Sequence, residues 1–327
     1  MTRSKHSQRV NQRLEYAKEI EAKIRTWCMG EFFRLSTVHL ALFLMAPMSV
    51  FQPGRILSPA DQTEEFLHLG LTAFPPLIRH FLEQSLVSQR YNGGFNQPES
   101  DLCLQRDGNA CILTGEPEPK ICYILPLSWG DSQAAMKKTL LLRPAINALM
   151  GPGWMQQHQQ HIGNSDRVWN MLCLSEKLQD LWKRGSCAFK GIRIQPVSRH
   201  ESVVVLEFHW MPEQDKVKPL VHAKLEGRQS DWTKMANTIH KLSTSELPAT
   251  DAQSELSIPS GKRIEVRMRR RDAANFKAMI DLQWACIAAA ALSGATSPGM
   301  LHEYEPYWWR CDEGVKFNVL SWLDNIV

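Results

Sequence analysis

Two stretches decide how this chain folds: residues 106–126, RDGNACILTGEPEPKICYILP, and residues 169–183, WNMLCLSEKLQDLWK. In the first, Arg106-Asp107-Gly108-Asn109 has the composition of a turn, and Cys111–Gly115 then reads as a short strand. Lys120–Leu125 is an apolar run between Pro119 and Pro126 and reads as a second strand. Glu116-Pro117-Glu118-Pro119 is the expected hairpin connection. In the second stretch, Trp169–Leu174 leads into a helix over Ser175–Lys183, opened by a serine in the capping position. Between them, Gln133–His161 reads as a helical insertion broken at Gly151-Pro152-Gly153. The expected core of residues 101–191 is therefore two strands, an insertion and a helix.

Working outward, Gln8–Trp27 lacks proline and glycine and carries Leu14, Ala17, Ile20 and Ile24 at helical spacing, which predicts an amphipathic helix. Phe32–Phe51 is the one membrane candidate. It contains Arg34, His39 and Pro47, and its unbroken apolar part falls short of the ~20 residues that cross a bilayer, so a packed helix is expected. Ser58-Pro59-Ala60 has a helix-start composition, Pro75-Pro76 interrupts, and a helix is expected from about Leu77 to Gln89. Val203–Met211 and Ile264–Met268 read as strands, Leu242–Pro259 as a flexible connection, and Ala273–Leu292 as a long apolar helix. The class is α+β, in four parts: an N-terminal extension over 1–55, a helical region over 56–100, the core over 101–191, and a strand and helix region over 192–327.

Composition excludes whole classes of function. Of 327 residues, 43% are hydrophobic and 22% charged, which is ordinary for a packed protein and too apolar for a disordered one. The net charge of +4 does not demand a polyanionic partner. Eight cysteines without a CxxC pair fit buried thiols in a reducing, intracellular compartment, cytoplasmic or nuclear, and no structural zinc is expected.

Both stretches resemble the fungal HNH nuclease domain proteins. The shared pattern is R-D-G-N-x-C-x-x-T-G, a His-Ile-x-Pro strand end, Asn-Leu-x-x-Leu, a helix with His-Asp-x-Trp, and Phe-x-Lys. Arg106, Asp107, Gly108, Asn109, Cys111, Thr114 and Gly115 fit its first element, and Ile124 and Pro126 its second. Asn170 and Leu174 fit the third; Asp180, Trp182, Phe189 and Lys190 the last. FHWMP at Phe208–Pro212, Ser260-Gly261 and the run from Leu282 to Ala295 are similar to the family's later elements, so the resemblance covers roughly 56–296. Because it begins after residue 52, removing residues 1–52 is expected to leave a cooperatively folded protein.

The resemblance implies a ββα-metal core, in which a histidine at a strand end takes a proton from water and a helix ligand holds a divalent cation. Carried over, the base position is Tyr123, the orienting asparagine Asn170 and the helix ligand Gln179. A phenol with a pKa near ~10 is a poor base at neutral pH. A neutral amide lacks the imidazole nitrogen that anchors a cation. The expectation is a silent scaffold that binds nucleic acid or a protein partner, with no cofactor and no metal. A divalent metal enters only through replacement ligands, for which His158, His161 and Asp166 are the candidates. Lys183, Arg184, Arg267 and Arg269 are the candidate phosphate contacts, within a broader set of basic residues that includes Lys137, Lys138, Arg143 and Lys262, with Trp182, Trp308 and Trp309 as stacking partners. A second reading is an accessory enzyme of fungal specialised metabolism, acting on a small organic substrate with Tyr123 as proton donor. A third is an active nuclease with replaced ligands.

Overall fold

The computed structural model describes residues 3–27, 33–87, 96–212, 217–245, 258–295 and 297–301. Helices α1 (Arg3–Trp27), α2 (Thr37–Met45), α3 (Glu64–Thr72), α4 (Phe74–Val87) and α5 (Gln97–Arg106) come first. Strand β1 (Lys120–Tyr123) is followed by α6 (Gln133–Leu141), α7 (Arg143–Met150) and α8 (Trp154–Ile162), then by β2 (Met171–Leu174) and α9 (Glu176–Lys183). Strands β3 (Cys187–Pro196) and β4 (Glu201–Trp210), helix α10 (Asp231–Ser243), strand β5 (Arg263–Arg269) and helix α11 (Arg270–Ser293) complete the described chain. The class is mixed helix and sheet, as expected.

The expected hairpin is not formed. Cys111–Gly115 makes turns: Gly115 N–H donates to the Cys111 carbonyl and Cys111 N–H to that of Glu116, at 2.8 Å each. Gly115 and Glu118 have positive φ, and Pro117 and Pro119 offer no N–H, so the segment cannot run a ladder beside β1. A bridge from Ala110 to Pro117 flanks it, and the Ile112 N–H donates to the Cys173 carbonyl at 3.0 Å. β1 pairs instead with β2, antiparallel, with Lys120 opposite Leu174 and Tyr123 opposite Met171. The three-helix insertion therefore lies between the two paired strands, and α9 follows the second.

A second sheet, in the order β3-β4-β5, is antiparallel throughout. β3 escaped the sequence reading because Gly191 and Pro196 interrupt it and its second half is exposed; a register shift between Gly191 and Arg193 accommodates the break. The central strand β4 is buried along most of its length, and α11 packs across β3 on one face. By length and composition α11 is apolar enough to cross a membrane, but 78% of its apolar window is buried against the protein, so here it is a core helix.

One hydrophobic core runs through the molecule, from Ala17, Ile20 and Ile24 on α1 through Val38 and Phe43 on α2 to Phe208 on β4 and Phe276 and Ile287 on α11. The four parts read from the sequence are thus not four cores. Within 1–55, Arg13 donates to the carbonyls of Phe43 and Ala46 at 2.5 and 2.6 Å and closes the end of α2. In 56–100, the Ser58-Pro59-Ala60 segment is a turn, and α3 begins at Glu64 with Thr63 accepting the Phe66 N–H. The expected interruption is present: α3 ends at Thr72, and Pro75 and Pro76 sit in the first turn of α4, which starts at Phe74 rather than near Leu77. Residues 246–257 of the expected flexible connection lie outside the described residues, as do Cys28, Cys311, Trp308 and Trp309.

Candidate functional site

Helix α5 is the bracket on which the β1–β2 unit is mounted. At its end Gly108 and Asn109 take positive φ, and Asn109 N–H reaches back to the Leu104 carbonyl at 2.8 Å. This turn aims Arg106 and Asp107 at β2. Arg106 grips Asp107 through Nε at 2.6 Å and Nη2 at 2.8 Å, and also donates to the carbonyls of Val168 and Met171. Asp107 in turn accepts the Cys173 N–H at 2.9 Å. At the other end of α5, Glu99 accepts the Val168 N–H, and the Asn96 N–H donates to Asp166 at 3.1 Å. The Arg-Asp-Gly-Asn motif is thus a helix cap joined to a buried ion pair that holds the second strand.

Asn170 is fully buried at the entry to β2. Its Oδ1 accepts the Leu125 N–H at 2.9 Å, and its Nδ2 donates to the carbonyls of Leu125 and Ser165 at 2.9 and 3.1 Å. One amide therefore locks the chain leaving β1 to the loop entering β2.

The two remaining motif positions do not act together. Adjacent strand residues face opposite ways. Tyr123 packs with Cys103, Met171 and Cys173 on the α5 side. Cys122 belongs to the main core with Leu178 and Leu181 of α9. Its thiol, which burial pushes up to about 12 despite a hydrogen bond from Gln179 and the charge of Lys183, is the group that Gln179 meets. Tyr123 Oη donates to Asp166 Oδ1 at 2.7 Å. Burial, and then the Asp166 carboxylate, hold the phenol protonated well above its ordinary range.

Of the replacement ligands, His158 and His161 are neighbours, with ring centroids 6.0 Å apart, but no third ligand atom closes a group with them among the described residues. His158 lies against Trp154 with ring centroids 4.7 Å apart, and His161 lies edge-on to Trp169 at 5.5 Å. Asp166 is engaged by Tyr123 and Asn96. Among the described residues the one group of three ligand atoms within 4.8 Å of one another is Cys103, Asp107 and Cys173. Its sulfurs are 3.7 Å apart, and Arg106 Nη2 stands 3.4 Å from Cys103 Sγ. Asp107 already receives Arg106 and the Cys173 N–H, so its carboxylate is engaged by hydrogen bonds within the cluster.

The basic candidates fall into separate places. Lys183 and Arg184 turn back on Asp180 at 3.3 and 3.2 Å. Lys262 donates to the Leu113 carbonyl, Arg143 is buried, and Trp182 is buried against Phe189, so it offers no stacking face. Arg269 is different. Where the β3–β4 turn meets the junction of β5 and α11, Arg199, His200, Arg269, Arg270 and Arg271 line an open cleft of about 580 Å³. The Arg270 N–H to His200 carbonyl bond, 2.8 Å, ties the two sides. Arg267 lies two residues away on the same face of β5, exposed like Arg269. The sequence signal was available in the run Arg269-Arg270-Arg271; Arg199 and His200 were invisible without the sheet register that brings Glu201 opposite Arg269.

No family model, curated protein or solved structure matches this chain.

Proposed function

We propose that this chain binds nucleic acid on a scaffold of HNH-like ββα type that does not cleave. The observation that carries the reading is the cleft of four arginines and a histidine, with no carboxylate among its described lining residues and one at its border, Asp272, 3.8 Å from Arg271 Nε. Guanidiniums fork onto phosphate oxygens, and several convergent on one concave surface favour a polyanion. The lack of chemistry is supported separately. Tyr123 keeps its proton because it is buried and donates to Asp166, so it is no base. Gln179 meets a buried thiol rather than an open coordination site. The same engagement of Tyr123 weighs against its use as a proton donor to a small organic substrate.

Filter binding of duplex and single-stranded DNA across a salt series tests the proposal. Affinity is expected to fall steeply with salt, and replacing Arg199 and Arg269 together should flatten the slope by about 0.9 for each phosphate no longer neutralised. Binding that is absent at low ionic strength, or indifferent to salt, sinks it.

A further inference from the structure

Away from the cleft and from the β1–β2 unit, a cavity of about 170 Å³ lies between the 54–62 loop, α3 and the α7–α8 corner. Its walls are two-sided. Ile56, Phe66 and neighbouring prolines give it an apolar flank, and Arg55, Arg143, Asn147 and Gln156 a polar one. None of the eleven lining residues, all of them described, is acidic. The nearest loop carboxylate, Asp61, is turned onto the Gly54 N–H and the Ser58 hydroxyl.

The polar flank is built to donate. Arg143, only 7% exposed, occupies the first turn of α7, where the helix dipole already contributes positive potential; the first turns of α7 and α8 contain no acidic residue. Asn147 is fixed, its Oδ1 accepting the Met155 N–H at 2.9 Å and its Nδ2 donating to Gln156 Oε1 at 3.3 Å. That leaves Gln156 Nε2, a group with donors only, buried and without a hydrogen-bond partner among the described residues. Arg55 is exposed at the mouth. Two guanidiniums and an orphaned amide donor around a void call for an acceptor-rich anion. The apolar flank calls for a carbon body.

We propose that this cavity is a binding site for a small organic carboxylate. Its volume, about six waters' worth at ~30 Å³ each, limits the ligand to roughly ten heavy atoms. The carboxylate faces Arg143 and Gln156, with Arg55 closing over it, and the carbon body rests on Phe66. Inorganic phosphate satisfies the first requirement and not the second.

Thermal unfolding of the full chain with benzoate, its neutral analogue benzamide, or inorganic phosphate is the test. Benzoate should raise the melting temperature with concentration, benzamide should not, and phosphate should act more weakly than benzoate. Gln156→Leu and Arg55→Met, each expected to fold, should weaken benzoate binding about tenfold by calorimetry, whereas Lys241→Met, remote on α10, should leave it unchanged. No shift with benzoate, an equal effect of phosphate, or benzoate affinity in Gln156→Leu and Arg55→Met equal to that of the wild type would overturn the proposal. Because the arginine cleft is separate, DNA binding should persist in both pocket variants.

Discussion

Tyr123 and Asp166 stand 43 residues apart in the chain and meet in a 2.7 Å hydrogen bond from phenol to carboxylate. The helical insertion lies between them, so this contact closes the insertion against the end of β1. Tyr123, where the resemblance implied a base, is here a structural donor.

Replacing Tyr123 with Phe should therefore cost stability without changing any nuclease activity. A hydrogen bond to a charged group at a partly buried site contributes about 1–2 kcal/mol, and denaturant unfolding measures it. The raised phenol pKa adds a pH signature: stability from this group is complete below the unfolded value near ~10 and is lost as pH rises beyond it. Wild type should lose its advantage over Tyr123→Phe above about pH 10; a gap that holds constant there contradicts the assignment.

Asn170→Ala should be more damaging. It strands the Leu125 N–H and carbonyl in a site with no exposure, at about 3 kcal/mol or more. A loss below about 1 kcal/mol in urea unfolding would show that Asn170 is not the lock between β1 and β2.

Acid should destabilise the protein well before carboxylates protonate. Burial holds His39 at about 4 and His80, stacked on Trp129, at about 3. Both pKa values are depressed, so the neutral rings contribute fully above the unfolded value near ~6.5 and their contribution drains as pH falls below it. Between pH 7 and pH 5 each should remove about 2 kcal/mol. His80→Phe should flatten that dependence. Equal stability of the wild type at the two pH values would contradict the account.

Removing residues 1–52 should give an aggregating protein, contrary to the expectation drawn from where the family resemblance begins. The deletion removes α1 and α2, and with them Ile20, Ile24, Val38 and Phe43, all fully buried in the shared core. Each large core side chain removed costs about 2–5 kcal/mol, more in sum than a domain's net stability. A soluble fragment with a single cooperative transition would refute this.

Much of the fold was legible where periodicity is strong: α1, β4, β5, α11 and the break of the insertion at Gly151 and Gly153 lie where the pattern puts them, within a few residues, whereas the second break of the insertion, at Leu142, was not read. What failed was partner choice. The two apolar runs nearest in sequence, Cys111–Gly115 and Lys120–Leu125, have the pattern of a hairpin, yet prolines and positive-φ residues between them forbid the ladder, and β1 takes its partner from beyond the insertion. The site shows the same division. Asn170 was legible only through the resemblance, as the orienting asparagine; the bonds it makes run to Leu125, 45 residues away. The Tyr123–Asp166 bond, the Gln179–Cys122 contact and the joining of Arg199 to Arg269 are tertiary, and no spacing rule encodes them.

Binding without cleavage is read out on supercoiled plasmid incubated with the wild-type protein and magnesium, manganese or zinc. The gel is run once with protein bound and once after its removal. The expected result is retarded migration at low salt that fades as salt rises, and undamaged supercoiled DNA after deproteinisation with every metal. Metal-dependent conversion to relaxed or linear plasmid above the buffer blank would contradict it.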